Sequence, residues 1–368
     1  MVIEDFRKNL DSDQKTIYLL SLERTIVVSG MAGSGKSWLL LAKAKQASVI
    51  TDSFAIVVYT KTLKQFFVDQ LKEIDPKGER VYYWEECKKS YMNRTHYDFL
   101  FIDECQDFNK EEIDFFRNHG TYCWFFGDTD QSIMRFPKHD VQSVQCTAKQ
   151  LGIHEQTLPW NHRLTIENAK VGEYIIPQTH LSDACLKHGE LPFLVQTDNQ
   201  LDFISDMKEK QDLSNVCILV YYNDEVEALR DYYLKKGLPV EWKTHDEMEI
   251  DLKSHNLKII NWHCAKGLEF NDVFIPFCGI GDYKPFIKPD NRGWDPMTAP
   301  DRIPALYVAT TRPLDRLYLL YTGPLSLRLP PQDSSIYNKL SDASLLVALA
   351  ALSNMDGVIV EEEEWLDF

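Results

Sequence analysis

The sequence predicts an α/β protein with parallel, doubly wound sheets, and three observations support this fold class. Short apolar segments of strand length alternate with segments of helix length along most of the chain. These apolar segments are hydrophobic at consecutive positions, as expected for strands that helices cover on both faces. A glycine-rich turn joins the first strand to the helix that follows it. With 368 residues, the chain has room for two domains of ordinary size.

Predicted strands and helices divide the chain into two similar halves. The first half has strands at residues 25–28, 55–59, 97–102 and 122–126, with helices at residues 38–47 and 63–71. The second half has strands at residues 216–220, 257–260, 273–276 and 317–320, with a helix at about residues 224–236. Pro159 follows a short strand, so we place a boundary at Leu158. The predicted domains are therefore residues 1–158 and 159–329.

A third segment, residues 330–368, is predicted to be a C-terminal extension. It begins near Pro330 and Pro331, contains a small-residue helix at residues 343–352, and includes four consecutive glutamates at residues 361–364. An acidic run of this kind is usually a solvated tail, and a docking element for a basic protein partner is the alternative.

Composition and charge exclude several classes of protein. The net charge of −16 argues against nucleic-acid binding by bulk charge, so any such contact needs a local groove. The eight cysteines contain no C-x-x-C pair, which favours reduced thiols over a disulfide framework or a zinc site. We also find no signal-peptide pattern and no apolar run of membrane-spanning length. These features predict a cytoplasmic protein with no membrane partner.

A phosphate-binding loop is the clearest motif. The pattern G-x-x-x-x-G-K-S lies between a strand and a helix, where backbone N–H groups can converge on a phosphate at the positive end of the helix. Lys36 is predicted to neutralise the β- and γ-phosphates of ATP, and the Ser37 hydroxyl to bind Mg²⁺. The predicted cradle consists of Gly30, Ala32, Gly33, Ser34, Gly35, Lys36 and Ser37.

Acidic and polar side chains follow two other strands. Asp103 and Glu104 come at the end of the third strand, where a parallel sheet presents its ligand groups. Asp103 is predicted to hold Mg²⁺, and Glu104 to orient and deprotonate the attacking water. Gln131 follows the fourth strand and is predicted to sense the γ-phosphate. Arg163 and Arg312 are candidates for arginine fingers, which stabilise negative charge in a phosphoryl-transfer transition state.

The chain resembles superfamily 1 helicases of the UvrD/Rep/PcrA type. Seven boxes carry the resemblance in the right order, at residues 10–14, 59–62, 103–107, 127–133, 161–163, 263–270 and 307–312. The resemblance spans about residues 10–320. It implies two RecA-like P-loop domains in tandem, with ATP in the cleft between them and a single strand of DNA or RNA crossing both. It also implies 3′→5′ movement.

Further roles follow from the same resemblance. Gln14 would read the adenine edge, and Glu269 would hold the ribose. Trp38 and His162 would lie beside the base, at positions where the family has an arginine and a tyrosine. The residues implied to lie along the nucleic acid are Thr60, Lys61, Phe136 and His263.

This chain is shorter than the large helicases of that type. Only about forty residues separate Tyr59 from Asp103, and about a hundred separate Arg163 from His263. Met134 stands where the family usually has an aromatic residue. The leading hypothesis is an ATPase that translocates along or unwinds nucleic acid. The alternatives are a regulatory ATPase that gates a nuclease or toxin, as in bacterial anti-phage defence, and a degenerate ATP-binding scaffold.

Overall fold

The computed structural model describes residues 7–89, 96–128, 140–211, 213–244, 250–251, 254–282 and 302–341. Within these residues the chain forms two large sheets in which every strand pair is parallel, with helices on their faces. The predicted α/β fold class is therefore confirmed. Several predicted features lie outside the described residues, namely Gln131, Met134, Phe136, the helix at residues 343–352 and the acidic run at residues 361–364.

The first sheet has six strands in the order β3-β2-β4-β5-β1-β6. Its strands are β1 (Ile26–Gly30), β2 (Phe54–Val58), β3 (Val81–Tyr83), β4 (Tyr97–Ile102), β5 (Gly120–Gly127) and β6 (Glu155–Leu158). The helices that accompany them are α1 (Ser12–Leu19), α2 (Lys36–Ile50), α3 (Lys61–Leu71), α4 (Trp84–Lys89), α5 (Lys110–His119) and α6 (Val144–Leu151). Val27 and Val28, adjacent on β1, pack into separate hydrophobic cores, so helices cover both faces of the sheet.

The second sheet has seven strands in the order β11-β12-β10-β13-β14-β9-β15. Its strands are β9 (Phe193–Gln196), β10 (Val216–Val220), β11 (Val240–Lys243), β12 (Leu257–Asn261), β13 (Phe270–Ile275), β14 (Pro313–Tyr321) and β15 (Asn338–Ser341). A separate pair consists of β7 (Asn161–Thr165) and β8 (Cys185–Lys187). The helices are α7 (Ile166–Ile175), α8 (Leu181–Ala184), α9 (Gln200–Lys210), α10 (Asn223–Lys235) and α11 (Ile303–Thr310). We call the part built on the first sheet the first lobe, and the part from β7 onwards the second lobe.

All eight strands predicted with bounds are present, the short strand predicted before Pro159 is β6, and the structure adds further short strands. The added strands are β3, β11 and β15 at sheet edges, together with β9 between β14 and β15. An edge strand has a neighbour on one side only, so its sequence tolerates polar residues and its apolar pattern is weaker. β6, for example, contains Glu155, Gln156 and Thr157. β15 lies within residues 330–368, so the start of the predicted extension adds an edge strand to the second sheet.

None of the helices in the described part of the chain combines the length and the apolar character needed to cross a bilayer.

Candidate nucleotide site

The glycine-rich loop lies where β1 ends and α2 begins. β1 ends at Gly30 and α2 starts at Lys36, so the loop lies at the positive N-terminal end of a 15-residue helix. Gly33 has a φ of 75°, which a residue with a side chain rarely adopts. A Cβ at Gly33 would lie 2.6 Å from the Asn161 Oδ1, so the loop packs too closely against β7 for any larger residue.

Lys36 is a buried cation whose hydrogen-bond acceptors in the loop are neutral. Its Nζ donates to the carbonyl oxygens of Gly30 at 2.7 Å and Met31 at 2.9 Å. Burial lowers the pKa of Lys36, while the carboxylates of Asp128 and Glu104 oppose that shift. A bound phosphate would give this ammonium a charged partner, which is a stronger interaction than a carbonyl.

Ser37 and Asp103 form the second part of the site. The Ser37 hydroxyl donates to the Asp103 Oδ2 at 2.8 Å, joining the start of α2 to the end of β4. Burial, followed by the adjacent charge of Glu104, raises the pKa of Asp103 to about 7. A hydroxyl and a carboxylate are oxygen ligands of the kind that Mg²⁺ prefers, so this pair fits the predicted metal-binding role.

Glu104 is held from both lobes. Its φ of 54° is left-handed, and its Oε2 accepts a hydrogen bond from the Gln106 Nε2 at 2.6 Å. The Lys266 Nζ, from the second lobe, lies 3.5 Å from the same oxygen. Burial alone would raise the pKa of Glu104, but Lys266 and Lys36 outweigh it and the net pKa is lowered. The carboxylate is thus charged at neutral pH and able to accept a proton.

Gln106 links two of the strand ends. While its amide nitrogen donates to Glu104, its Oε1 accepts from the backbone N–H of Asp128 at 2.9 Å. Asp128 directly follows β5, so Gln106 fixes the spacing between the acidic pair and the segment that leads to Gln131.

An ion pair that the sequence did not predict connects the lobes. The Lys266 Nζ lies 2.5 Å from the Asp107 Oδ2, and neither side chain is exposed to solvent. Burial opposes the charge on Lys266, but Asp107 and Glu104 outweigh it, so the pKa of this lysine is raised. The two residues are 159 positions apart and belong to different boxes, so only folding brings them together.

The two predicted arginine fingers lie in the same region of the cleft. The Arg163 Nε and Nη2 donate to the Glu269 Oε1 at 2.9 and 2.7 Å. Arg312 is 1 % exposed, and its Nε donates to the Val308 carbonyl oxygen at 2.8 Å. Burial, and then the like charge of Arg163, lowers the pKa of Arg312 below its usual value. A guanidinium nevertheless stays protonated at neutral pH. Both cations are therefore present, and Glu269 is bound by one of them.

Gln14 and His162 both bind backbone carbonyl oxygens of the loop. The Gln14 Nε2 donates to the Ser34 carbonyl oxygen at 3.0 Å, and Asp11 caps the helix that carries Gln14. The His162 Nε2 lies 2.7 Å from the Asp11 Oδ2, and its backbone N–H donates to the Gly33 carbonyl oxygen at 3.0 Å. Two of the three residues predicted to lie at the base are thus joined through Asp11.

Asn161 is a site residue that the sequence reasoning missed. It is fully buried, and its Nδ2 donates to the Ala32 carbonyl oxygen at 2.6 Å. Its Oδ1 accepts from the backbone N–H groups of Arg163 and Leu164 at 2.9 and 2.8 Å. Asn161 therefore fixes both the loop and Arg163. Its place in the box at residues 161–163 was the available signal.

A family comparison agrees with this arrangement. Residues 26–320 match the family model for the viral superfamily 1 RNA helicase core domain. The chain belongs to this helicase family. Membership implies nucleotide hydrolase activity, normally with ATP and Mg²⁺. The match does not extend to the UvrD/Rep/PcrA type, so that narrower resemblance remains a proposal.

Solved structures are similar to this chain in fold. A Dbp5 variant from S. cerevisiae bound to RNA and ADP BeF3 aligns over 96 % of this chain and 95 % of its own, with 10 % identity and a TM-score of 0.57. An arterivirus nonstructural protein 10 (helicase) in complex with DNA aligns over 83 % of this chain with 16 % identity and a TM-score of 0.44. This match covers only 62 % of the length of that protein. No curated protein matches the chain at a significant level of sequence similarity.

The residues predicted to contact nucleic acid lie on both lobes. Thr60 caps α3, its Oγ1 accepting from the Leu63 N–H at 3.2 Å, and Lys61 is exposed. His263 is half-buried, with its ring centroid 5.3 Å from that of Tyr221. Phe136 lies outside the described residues. Trp38, predicted to lie beside the base, packs edge to face on Phe66 at 5.7 Å.

Proposed function

We propose that this protein is an ATPase that couples hydrolysis to movement along single-stranded nucleic acid, as a compact helicase or translocase. One observation carries the proposal. The Glu104 carboxylate lies between Gln106 of its own lobe and Lys266 of the other lobe, close to the Ser37–Asp103 pair. The position and charge of this proton acceptor therefore depend on how the two lobes are placed relative to each other.

The residues of the loop fit a nucleoside triphosphate with Mg²⁺. Lys36 would exchange its carbonyl partners for phosphate oxygens, and the loop amides would donate to the β-phosphate. Ser37 and Asp103 would hold the metal ion. When bound, Mg²⁺ neutralises charge on the phosphates. Gln14 and His162 would contact the base, and Glu269 the ribose.

Hydrolysis needs a proton acceptor and cations, and the cleft supplies both. In our proposal Glu104 orients a water molecule and accepts its proton. The water oxygen bonds to the γ-phosphorus as the bond to the β–γ bridging oxygen breaks, which yields ADP and inorganic phosphate. Arg163, Arg312 and the predicted sensor Gln131 would stabilise the charge that develops on the γ-phosphoryl group.

Direct contact between the lobes supports coupling of the reaction to movement. Gly267 has a φ of 80°, and a Cβ there would collide with the Leu63 side chain on α3. This contact lies beside the predicted nucleic-acid residues Thr60 and Lys61 of the first lobe and His263 of the second. Any opening of the cleft would separate Leu63 from Gly267 and so change the distance between the two halves of the strand-binding surface.

We infer that the bound strand is recognised by local contacts, because the net charge of −16 opposes long-range attraction. The seven boxes resemble those of 3′→5′ DNA translocases, so we propose that polarity. The matching family model describes an RNA helicase core, so RNA is tested beside DNA. A docking role for the acidic run at residues 361–364 remains a separate proposal.

The test is the rate of ATP hydrolysis with single-stranded, duplex and tailed DNA and RNA, at low and physiological salt. We expect single strands to stimulate the wild-type rate and the Lys36→Ala variant to be inactive under every condition. If hydrolysis is present but no nucleic acid binds or stimulates it, the translocase proposal is wrong and the regulatory ATPase is favoured. If wild-type turnover does not exceed that of Lys36→Ala, the protein is an ATP-binding scaffold.

A further inference from the structure

One buried lysine on the loop helix has no part in the proposed chemistry. Lys43 lies on α2, about two helical turns after Lys36, and its side chain is completely buried. Buried lysines are rare unless their charge is satisfied. The surroundings of Lys43 therefore need an explanation.

Lys43 binds the end of the neighbouring helix α1. Its Nζ donates to the carbonyl oxygens of Tyr18 at 3.1 Å and Leu20 at 2.8 Å. These carbonyls belong to the C-terminal end of α1, which carries the negative end of the helix dipole and attracts a cation. The ammonium also lies 4.6 Å from the centroid of the Trp124 ring, within range of a cation–π interaction. Burial lowers the pKa of Lys43 to about 8, which leaves it charged at neutral pH.

The opposite end of α1 contacts the phosphate-binding loop. Gln14, in the first turn of α1, donates to the Ser34 carbonyl oxygen at 3.0 Å. Asp11 caps this turn and contacts His162. α1 has only eight residues, and isolated helices of this length are not stable in water. Contacts at its two ends, together with the buried side chain of Ile17, therefore determine where Gln14 lies.

We propose that Lys43 is a positioning residue for nucleotide binding, which holds α1 against the loop helix so that Gln14 meets the bound nucleotide. The hydrogen bonds of Lys43 fix one end of α1, and Gln14 acts at the other. The proposal rests on the proposed ATPase function, because it assigns to Lys43 an effect on ATP affinity. It predicts that Lys43 and Gln14 act as one unit.

A double-mutant cycle tests this coupling. Lys43→Met keeps the length and apolar stem of the side chain but removes its charge and donors. We expect Lys43→Met and Gln14→Ala each to raise the KM for ATP about fivefold, the effect of one lost hydrogen bond, with kcat at saturating ATP within about twofold of wild type. The double variant should show no larger rise than the stronger single variant, because coupled residues are not additive. Lys43→Arg, which keeps charge and donors, should restore most of the affinity.

The matched control is Lys45→Met on the same helix. Lys45 is partly exposed and pairs with Glu73 at 3.4 Å, so its loss should leave KM unchanged. A merely structural role for Lys43 would lower the melting temperature without a selective change in KM. If Lys43→Met does not fold, Lys43→Gln, which keeps an N–H donor without the charge, replaces it in the cycle.

Two results would overturn the proposal. One is an unchanged KM in a folded Lys43 variant, and the other is a double variant whose KM rises by the product of the single effects, about twenty-five-fold. Direct titration of ATP by calorimetry separates this failure from a failure of the proposed function. A wild-type protein that neither binds nor hydrolyses ATP would contradict both, whereas normal ATP binding with uncoupled variants would contradict only the role of Lys43.

Discussion

The acidic pair of the first lobe and Lys266 of the second lobe carry opposite charges and are held in different ways. On the first lobe, Asp103 and Glu104 follow β4 and are bound mainly by residues of the same sheet edge, such as Ser37 and Gln106. On the second lobe, the buried cation Lys266 has its charged partners across the cleft. Because burying an unpaired charge is costly, each side depends on the other for charge balance. Contact between the lobes therefore completes the charge balance of the candidate site.

The two predicted arginine fingers differ in a related way. Arg163 is paired with one partly exposed carboxylate, that of Glu269. Arg312 is buried and donates to the carbonyl oxygens of Val308 and Leu268 and to the Thr311 hydroxyl. Arg163 would exchange the Glu269 carboxylate and the Thr311 carbonyl oxygen for a phosphate, whereas Arg312 would have to release its bonds from a fully buried position.

The largest effect is expected on the first-lobe side, at Glu104. Glu104→Gln preserves the shape of the side chain and its contact with Gln106 but removes the charged proton acceptor. We expect kcat to fall about 10³-fold, while ATP binding is retained. Assays of phosphate release measure kcat, and titration with ATP by calorimetry measures binding. A variant that still turns over at more than a tenth of the wild-type rate would mean that another group is the base.

The second prediction sharpens the comparison between the arginines. Arg163→Ala should lower kcat about 10²-fold with little loss of thermal stability, because its main partner, the Glu269 carboxylate, is partly exposed and can be solvated by water once the arginine is removed. Arg312→Ala should lower kcat to a similar degree and also destabilise the fold by about 2 kcal/mol, because buried carbonyl oxygens lose their donor. Melting curves and single-turnover rates on the same preparations distinguish the two. Equal loss of stability in both variants would contradict the assigned difference.

The smallest effect on turnover is expected from the ion pair between the lobes. Lys266→Met leaves Asp107 buried without its cation, so we expect a loss of about 3 kcal/mol in the free energy of unfolding and about a tenfold loss in kcat. Adding Asp107→Asn should recover most of the stability but not the rate, because Glu104 would still lack Lys266. Denaturant titrations of the single and double variants test this. Recovery of the rate together with the stability would show that Lys266 acts only on folding.

The sequence determined the fold class and predicted most residues of the first-lobe half of the candidate site. The strand-to-helix loop at Lys36 and the acidic pair after β4 are local features, because the carboxyl end of a parallel strand places its next residues at the ligand-binding edge whatever lies further along the chain. The same reasoning located eight strands, since central parallel strands must be apolar on both faces.

Tertiary structure alone decided which residues meet across the cleft. Lys266 and Asp107 lie 159 positions apart. The sequence around each residue does not show whether its charged side chain is exposed to solvent or paired in the folded protein. Lys43 carries no sign of its partners either, and the box at residues 161–163 indicated Asn161 without indicating what it binds. Their role is to bind backbone carbonyls, which every residue has, so only the folded chain selects the carbonyls of Ala32, Tyr18 and Leu20.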